Sequence, residues 1–175
     1  MLIIAIAVKA YDRGPVFYFQ DRLTLGGKPF KICKFRSMCV DSEKNGTRLA
    51  SKHDSRITPV GHVLRNLHLD ELPQLFNVFK GDMSLVGPRP ERESIMLEYE
   101  KELPEFYYRL KVKAGLTGYA QVYGKYNTTP YDKLKLDLFY IENYSFLLDI
   151  KLICMTVKIF FEKVVSEGVD DRQVI

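Results

Sequence analysis

The order of apolar and polar positions along the chain predicts mostly helices with one short β-hairpin. The first ten residues, MLIIAIAVKA, are nearly all apolar, and Gly14-Pro15 then ends the predicted first helix. Two short apolar runs, VFYFQ and KPFKICKF, lie on either side of Gly26-Gly27, which predicts a hairpin. The polar stretch over 41–55 is expected to be an exposed loop.

Two Thr-Pro pairs predict helix starts, because threonine caps a helix and proline fits its first turn. They are Thr58-Pro59 and Thr129-Pro130, and apolar positions at helical spacing follow each of them. Further helices are expected over 70–80, 91–102 and 145–167.

Asp70 is expected to cap the helix over 70–80, with Pro73 in its first turn and Gly81 after its end.

One acid in the last predicted helix is out of place. Lys151, Lys158 and Glu162 share a narrow polar face, whereas Asp149 lies roughly on the opposite, apolar side. Since an isolated buried charge is costly, Asp149 must be paired, protonated or bound to a metal. A structural ion pair with an arginine or lysine is the alternative to a functional site.

Composition permits one domain with a core and favours anionic partners. The chain has 175 residues, of which 46% are hydrophobic and 27% charged, and its net charge is +4. Nucleic acid, lipid head groups and phosphorylated small molecules would each fit that charge. The basic residues are interleaved with acids and match no nucleic-acid-binding motif, so no nucleic-acid partner is expected.

Neither a disulfide framework nor a membrane-spanning helix is indicated. Cys33, Cys39 and Cys154 are odd in number and contain no Cys-x-x-Cys pair, so a zinc site is not suggested either. The apolar N-terminal stretch is shorter than the roughly 20 residues that cross a bilayer. It is expected to lie in a membrane surface or to form an ordinary buried helix.

The sequence LDELPQLFNVFKGDMSLVGPRP carries the candidate chemistry. Asp70 and Glu71 are adjacent carboxylates at a predicted helix start, where free N–H groups and the helix dipole favour phosphate. Arg89 lies between two prolines that restrict its backbone. By itself Asp70 would more simply be a helix cap, and the combination is what indicates a phosphate-transfer site.

A carboxylate can attack phosphorus to form an acyl phosphate if a cation neutralises the approaching charges. Mg²⁺ suits a site with few acids, because it takes one or two carboxylates together with substrate phosphates. KFRSM adds the cations Lys34 and Arg36 as candidate phosphate ligands. The glycines of KAGLTGYAQVYGK would let the backbone approach a ligand, or else form a tight structural turn; they are Gly115, Gly118 and Gly124.

These motifs resemble the bacterial sugar transferases, or monotopic phosphoglycosyl transferases, which act on polyprenyl phosphate. The resemblance rests on GPVFYFQDR, KICKFRSM, RITPVGHVLRNLHLDELPQLFNVFKGDMSLVGPRP, KAGLTGYAQV and YIENYSFLLDIK, in that order. It implies transfer of a sugar 1-phosphate from a nucleoside diphosphate sugar, with uridine as the nucleoside, to undecaprenyl phosphate. The products are the nucleoside monophosphate and a lipid that starts a bacterial surface glycan.

The resemblance also implies roles for individual residues. Asp70 would be the nucleophile that forms a phosphosugar intermediate, and Glu71 would hold the metal or manage protons. Asp70, Glu71 and Asp149 are the implied Mg²⁺ ligands. The implied substrate ligands are basic residues, namely Lys34, Arg65, Arg89 and, near the nucleotide, Lys125.

The expected fold is α/β and helix-dominated, with a short N-terminal hairpin and amphipathic helices facing the membrane. Residues 1–13 would be the second half of a re-entrant membrane helix, and 14–175 the catalytic domain. The resemblance places the enzyme at the bacterial cytoplasmic membrane, with its active site on the cytoplasmic face. Exposed apolar helices leave room for a homodimer. The alternative function is a catalytically silent peripheral membrane module that binds lipid phosphate.

Overall fold

The structure is a computed structural model that describes residues 1–42, 44, 54–124 and 128–167, with side chains described up to 159. Helices dominate these residues, as the sequence predicted, and two small two-stranded sheets accompany them, of which only the N-terminal hairpin was predicted. The chain divides into two compact units. The first contains Met1–Phe19 and Cys33–Gln74, and the second contains Gln20–Ile32 and Leu75–Ile175. The chain therefore passes from one unit to the other three times.

The first unit is built around an apolar N-terminal helix and the helix before the dyad. Helix α1 spans Leu2–Asp12 and α2 spans Pro59–Asn66. Val8 of α1, Phe35 and Leu64 of α2 form the core of this unit, which makes α1 a packed element and not a detached tail.

The β-hairpin forms where the two apolar runs predicted it. Strand β1 spans Phe17–Leu23, β2 spans Pro29–Phe35, and the turn between them contains Gly26 and Gly27, both with positive φ. The left-handed conformation favours glycine because it has no Cβ. The hairpin strands belong partly to each unit.

The second unit contains the remaining helices and a short parallel sheet. The helices are α3 (Gln74–Lys80, of which Gln74 belongs to the first unit), α4 (Glu93–Glu102), α5 (Tyr119–Tyr123), α6 (Pro130–Glu142) and α7 (Phe146–Glu167). The strands are β3 (Ser84–Val86) and β4 (Gly115–Thr117), in register Ser84↔Gly115 and Val86↔Thr117. A 3₁₀ helix covers Pro104–Lys111. One apolar core of the second unit lies beneath α4 and α6, and another lies between β3, α6 and α7.

Both predicted Thr-Pro helix starts are confirmed. The Thr58 side chain accepts a hydrogen bond from the Gly61 N–H at 2.9 Å, and α2 begins at Pro59. Thr129 accepts from the Asp132 N–H at 3.1 Å, and α6 begins at Pro130. In each case the hydroxyl satisfies a backbone donor that the first helical turn leaves open.

The predicted helix start at Asp70 is wrong. Asp70 lies in a 3₁₀ turn over Leu69–Glu71, and α3 begins only at Gln74. Pro73 has no N–H to bond the Leu69 carbonyl, which accepts from the Leu72 N–H at 3.3 Å instead. Asp70 therefore does not lie at the N-terminus of a helix whose free N–H groups would attract phosphate.

The glycines of KAGLTGYAQVYGK serve backbone packing, which was the structural alternative. A Cβ on Gly115 would lie 2.1 Å from the Gly87 nitrogen, and one on Gly118 would lie 2.1 Å from the Gly87 oxygen. A Cβ on Gly124 would similarly meet the Ala120 oxygen at 2.3 Å. The first two contacts hold the main chain beside β3 and β4, and the third lies at the end of α5, so ligand approach is not needed to explain the glycines.

Among the described helices, none combines the length and apolar character that crossing a bilayer requires. Large apolar side chains nevertheless lie exposed on α7, where Phe146 and Leu147 are 76% and 80% exposed, and on α3, where Phe79 is 95% exposed. The expected loop over 41–55 lies mostly outside the described residues. The division into a membrane-associated segment over 1–13 and a catalytic domain over 14–175 stays a prediction.

Candidate active site

The carboxylate dyad lies in a tight turn that follows α2. His68 precedes the turn with φ of 49°, a left-handed conformation that is uncommon for a residue with a Cβ. The chain then forms the 3₁₀ turn that carries Asp70 and Glu71. Asp70 is buried at 9% exposure, whereas Glu71 is half-buried. The turn thus buries one carboxylate and leaves the other partly exposed.

Strand β2 supplies a cation to this dyad. Lys34 Nζ lies 2.7 Å from Glu71 Oε1, and the two side chains retain 18% and 16% exposure. A charge-assisted bond of this length in a mostly buried site is far less screened than a surface ion pair. The structure therefore places Lys34 beside the dyad of Asp70 and Glu71.

Helix α2 supplies a second cation, Arg65. The Arg65 Nε donates to the Ser37 hydroxyl at 2.8 Å, and Arg65 forms no ion pair among the described residues. Its positive charge acts on Asp70. The guanidinium is therefore held by a neutral partner and keeps its charge available to the dyad.

Ser37 and Gly61 are two residues of this site that sequence reasoning missed. Gly61 lets α2 approach residue 37, since a Cβ there would lie 1.9 Å from the Ser37 backbone oxygen. The Thr58 N–H also donates to that oxygen at 3.0 Å. The only sequence signal was the pairing of a small residue in KFRSM with a glycine in the first turn of α2.

Two opposing influences set the protonation of Asp70. Burial raises the pKa of its carboxyl above the ordinary value, and the negative charge of Glu71 raises it further. The positive charges of Lys34 and Arg65 act in the opposite direction, as does His68, without cancelling the rise. A carboxylate that is ionised despite a raised pKa is a stronger base and nucleophile than an ordinary one.

The dyad has the chemistry of a site for a magnesium ion. Two adjacent carboxylates repel each other, and a cation between them would relieve the repulsion that raises the pKa of Asp70. Among the described residues, no three Asp, Glu, His or Cys side chains form a metal-binding cluster by themselves. Mg²⁺ needs only one or two carboxylates when substrate phosphates and water complete its shell, so the residues present fit it.

Gln74 offers a hydrogen-bond donor in the same unit. It is buried at 3% exposure, and its Nε2 makes no hydrogen bond within the described structure. An amide nitrogen donates to oxygen and does not bind a metal, so Gln74 suits a phosphate or carboxylate oxygen. Sequence reasoning missed this residue, although it lies four positions after Asp70.

Arg36, a predicted phosphate ligand, is engaged by protein acceptors. Its Nε donates to the Pro15 oxygen at 2.6 Å, and its two terminal nitrogens both bind the Asp12 carboxylate. It also donates to the Met38 oxygen at 3.3 Å. These contacts favour a structural role in which Arg36 ties the end of α1 to the chain after β2. Contact with substrate stays a prediction.

Arg89 and Asp149 belong to the second unit. Arg89 is exposed between the buried Pro88 and Pro90. Asp149 is half-buried, and its Oδ1 accepts a hydrogen bond from the Tyr140 hydroxyl at 2.8 Å. The expected partner of this acid therefore exists, but it is a hydroxyl and not a cation. Lys125 lies outside the described residues.

Asp149 lines an open groove of the second unit with a volume of about 370 Å³. Most of the lining is apolar, for example Phe146 and Ile153, and Lys113 contributes a positive charge. Burial raises the pKa of Tyr140, and the hydrogen bond to Asp149 raises it further, so the phenol stays protonated as a donor. Tyr140 was not predicted as a site residue, because its distance from Asp149 depends on how α6 meets α7.

The chain is similar to known transferases over most of its length. It is 44% identical over 161 residues to a UDP-N-acetylgalactosamine-undecaprenyl-phosphate N-acetylgalactosaminephosphotransferase from Aeromonas hydrophila, covering 90% of this chain and 38% of that protein. It is 46% identical over 162 residues to a UDP-glucose:undecaprenyl-phosphate glucose-1-phosphate transferase from Xanthomonas campestris pv. campestris, covering 89% and 34%. The chain thus spans about a third of the length of these relatives.

A third relative is an uncharacterized sugar transferase from Bacillus subtilis (strain 168). It is 42% identical over 170 residues, which are 97% of this chain and 80% of that protein. The family model described as bacterial sugar transferase matches residues 1–163. Because that match includes the whole cluster around the dyad, the motifs and the family agree, and the chain belongs to the bacterial sugar transferase family.

Proposed function

We propose that this chain transfers a sugar 1-phosphate from a nucleoside diphosphate sugar, specifically a UDP-sugar, to undecaprenyl phosphate. The products are undecaprenyl-diphosphate-sugar and UMP, and the reaction starts the synthesis of a bacterial surface glycan. The names of two relatives contain both substrate classes, which supports this choice. The observation that carries the proposal is the buried Asp70 beside Glu71, Lys34 and Arg65.

In the first step, an Asp70 carboxylate oxygen attacks the phosphorus that bears the sugar. A new P–O bond forms to Asp70, and the bond to the nucleoside monophosphate breaks, so UMP leaves with the bonding electrons. The product is an acyl phosphate that joins the sugar to Asp70. Its raised pKa makes the Asp70 carboxylate a better nucleophile once it is ionised.

In the second step, a phosphate oxygen of undecaprenyl phosphate attacks the same phosphorus. The bond to Asp70 breaks, the carboxylate is restored, and the lipid diphosphate forms. No proton is gained or lost by Asp70 over the cycle. Lys34 and Arg65 neutralise part of the charge that collects when phosphate meets carboxylate.

Mg²⁺ would be held by Asp70 and Glu71 together with donor phosphates, and it would neutralise the phosphate charge during each displacement. Glu71, which already binds Lys34, would help to fix the position of the metal. Asp149 as a further ligand and Lys125 near the nucleotide remain parts of the proposal that rest on the resemblance alone.

A turnover assay tests the proposal. Purified protein is incubated with undecaprenyl phosphate, Mg²⁺ and a panel of UDP-sugars, and UMP release is measured. Release is expected with at least one sugar and is expected to fall at least about 10³-fold in Asp70→Asn. Asp21→Asn, which removes an exposed carboxylate from the hairpin, is the matched control and should keep full activity. Retained transfer by Asp70→Asn would overturn the assigned nucleophile.

A second assay separates covalent from direct transfer. With donor alone, the covalent route predicts UMP release of up to one equivalent and a mass increase of one sugar phosphate on the peptide containing Asp70. If transfer occurs but neither signal appears, the lipid phosphate attacks the donor directly and the dyad serves only to bind metal.

We also propose that the protein works at a membrane surface, on the cytoplasmic face of the bacterial membrane. Exposed apolar side chains on α1 and α7 support this, because such side chains suit a membrane surface. The long isoprenoid tail of the acceptor stays in the bilayer and keeps its phosphate at that surface. Leu2 and Ile3 of α1 are among them, as are Phe146 and Leu147 of α7. The homodimer expected from these exposed helices stays a prediction.

Vesicle binding tests the membrane proposal. The double variant Phe146→Ser/Leu147→Ser is expected to sediment with anionic vesicles at least about tenfold less than the parent, since each large apolar side chain contributes on the order of 1.5 kcal/mol when buried. Leu97→Ser removes an exposed leucine from the charged helix α4 and is the control. Equal loss in both variants would contradict a membrane role for the start of α7.

A further inference from the structure

The segment over 88–91, which carries Arg89, is fixed by its backbone. Its four successive carbonyls each accept a hydrogen bond from a different donor. The pairs are Pro88 with the Gly115 N–H at 2.9 Å, Arg89 with Arg109 Nη2 at 3.0 Å, Pro90 with Arg22 Nη1 at 3.2 Å, and Glu91 with the Leu23 N–H at 3.0 Å. Two of the donors are therefore arginine side chains, whereas the other two belong to the main chain.

The side chain of Arg89 lies on the outer side of this segment. Pro88 and Pro90 are buried and Arg89 is exposed. Proline removes a rotatable φ on either side, so the direction of the Arg89 side chain depends on how the segment's carbonyls are held. A displacement of about 1 Å is enough to weaken a phosphate contact strongly.

Arg109 is the buried donor in this arrangement. Its side chain and that of Asp137 are each 1% exposed, and its Nε and Nη2 bind Asp137 Oδ2 at 3.0 and 2.8 Å. Its Nη1 lies 3.4 Å from the Glu91 carboxylate. Asp137 therefore compensates the buried charge and sets the plane of the guanidinium, while Nη2 also reaches the Arg89 carbonyl.

Glu91 gathers the rest of the charge. Its carboxylate binds Lys133 and lies near both Arg109 and Arg22. These positive charges hold the pKa of Glu91 below its ordinary value in spite of burial. In its contact with the segment over 88–91, Lys133 binds the Glu91 carboxylate and not the backbone. Arg109 and Arg22, in contrast, also bind backbone carbonyls of that segment.

We propose that Arg109 is a positioning residue for Arg89. Its guanidinium, locked by Asp137, holds the Arg89 carbonyl and so sets the direction in which the exposed Arg89 side chain meets the diphosphate of the donor. Arg22 holds the next carbonyl, that of Pro90, in the same way. The inference rests on the proposed function and on Arg89 as a ligand of donor phosphate, a role that the resemblance implies.

A mutant cycle tests this assignment. Arg109→Lys keeps the positive charge but loses the planar fork that binds Asp137 and the carbonyl together. We expect it to raise the KM for the UDP-sugar and the Kd for UDP by about 3- to 10-fold, equivalent to one hydrogen bond, while kcat changes less than about 2-fold. In an Arg89→Met background, the same substitution should change KM and Kd less than about 2-fold.

Three further variants separate positioning from simple stability. Lys133→Met removes a cation from the same cluster without removing a backbone donor, so it should lower the melting temperature with KM unchanged. Arg22→Lys should raise KM in the same way as Arg109→Lys, and it serves if Arg109→Lys fails to fold. Arg109→Met should raise KM more than Arg109→Lys, which partly rescues the charge.

Each outcome decides a different point. Equal effects of Arg109→Lys in the parent and in Arg89→Met would overturn the positioning role. An unchanged KM in Arg22→Lys and Arg109→Lys would do the same. UDP binding, measured by calorimetry, continues to test the inference if the protein binds donor but transfers nothing, an outcome that would refute only the proposed function. A parent protein that neither binds UDP nor transfers would overturn both.

Discussion

Replacing Lys34 with methionine would show how far the dyad depends on its neighbouring cation. Lys34 Nζ lies 2.7 Å from Glu71 Oε1, with 18% and 16% of the two side chains exposed. Breaking a fully buried pair costs about 3–5 kcal/mol, whereas an exposed pair contributes about 0–1 kcal/mol. Since this pair is mostly buried, Lys34→Met should lower the free energy of unfolding by about 2–3 kcal/mol.

A double-mutant cycle isolates the contact between the two residues. Lys34→Met, Glu71→Gln and the double variant are unfolded in urea at neutral pH, and a coupling energy of about 1–3 kcal/mol is expected. The exposed pair Lys31 and Asp21, at 71% and 72% exposure, supplies a control cycle with a coupling below about 1 kcal/mol. If the effects of Lys34→Met and Glu71→Gln add to within about 0.5 kcal/mol, the ion pair does not hold the dyad.

The same substitution should also change the pH dependence of turnover. Lys34 is the first of the positive charges that lower the pKa of Asp70 against burial and Glu71. Without it the pKa of Asp70 rises further, so the acid limb of kcat/KM moves to higher pH. A limb that stays in place would show that Asp70 does not sense this charge.

Three further predictions concern the first unit. Asp70→Asn should raise the free energy of unfolding by about 0.5–2 kcal/mol near pH 8 while abolishing turnover. Because the pKa of Asp70 is raised by folding, this gain should disappear below the ordinary value of 3.8, which melting at several pH values would reveal. The hydrogen bond to Arg36 lowers the pKa of Asp12 to about 2, so part of the stability should be lost between about pH 4 and 2, and urea unfolding of Asp12→Asn should show a smaller loss over that range. Gly61→Ala should lower the free energy of unfolding by about 1–3 kcal/mol, since its Cβ would meet the Ser37 oxygen at 1.9 Å; an unchanged melting temperature would contradict this.

Local sequence signals predicted local structure well. Thr58 and Thr129 each announced a helix start because a capping hydroxyl and the following proline act within one turn. The hairpin turn at Gly26 was predictable for the same reason, since its backbone conformation favours glycine. The helix start predicted at Asp70 was wrong because the effect of Pro73 on the Leu69 carbonyl depends on the turn that the chain has already made at His68.

Contacts between distant residues could not be predicted. Lys34 was expected near the dyad only by resemblance, and its distance from Glu71 depends on where β2 ends in the fold. The pairing of Arg109 with Asp137 joins a 3₁₀ helix to α6 across 28 positions, and neither residue carries a local signal. The strands β3 and β4 are three residues each, too short for a hydrophobic period to appear.

The three passages of the chain between its two units limit how the protein can be recombined. A crossover after Gln74 would leave Gln20–Ile32 on the N-terminal fragment, although these residues pack with the unit that follows. Leu23 lies in the same core as Met96, and the Thr24 hydroxyl donates to the Asp82 carbonyl at 3.0 Å. A chimera between this chain and another sugar transferase must therefore exchange two separate stretches together, so that the hairpin tip and the C-terminal part come from one parent.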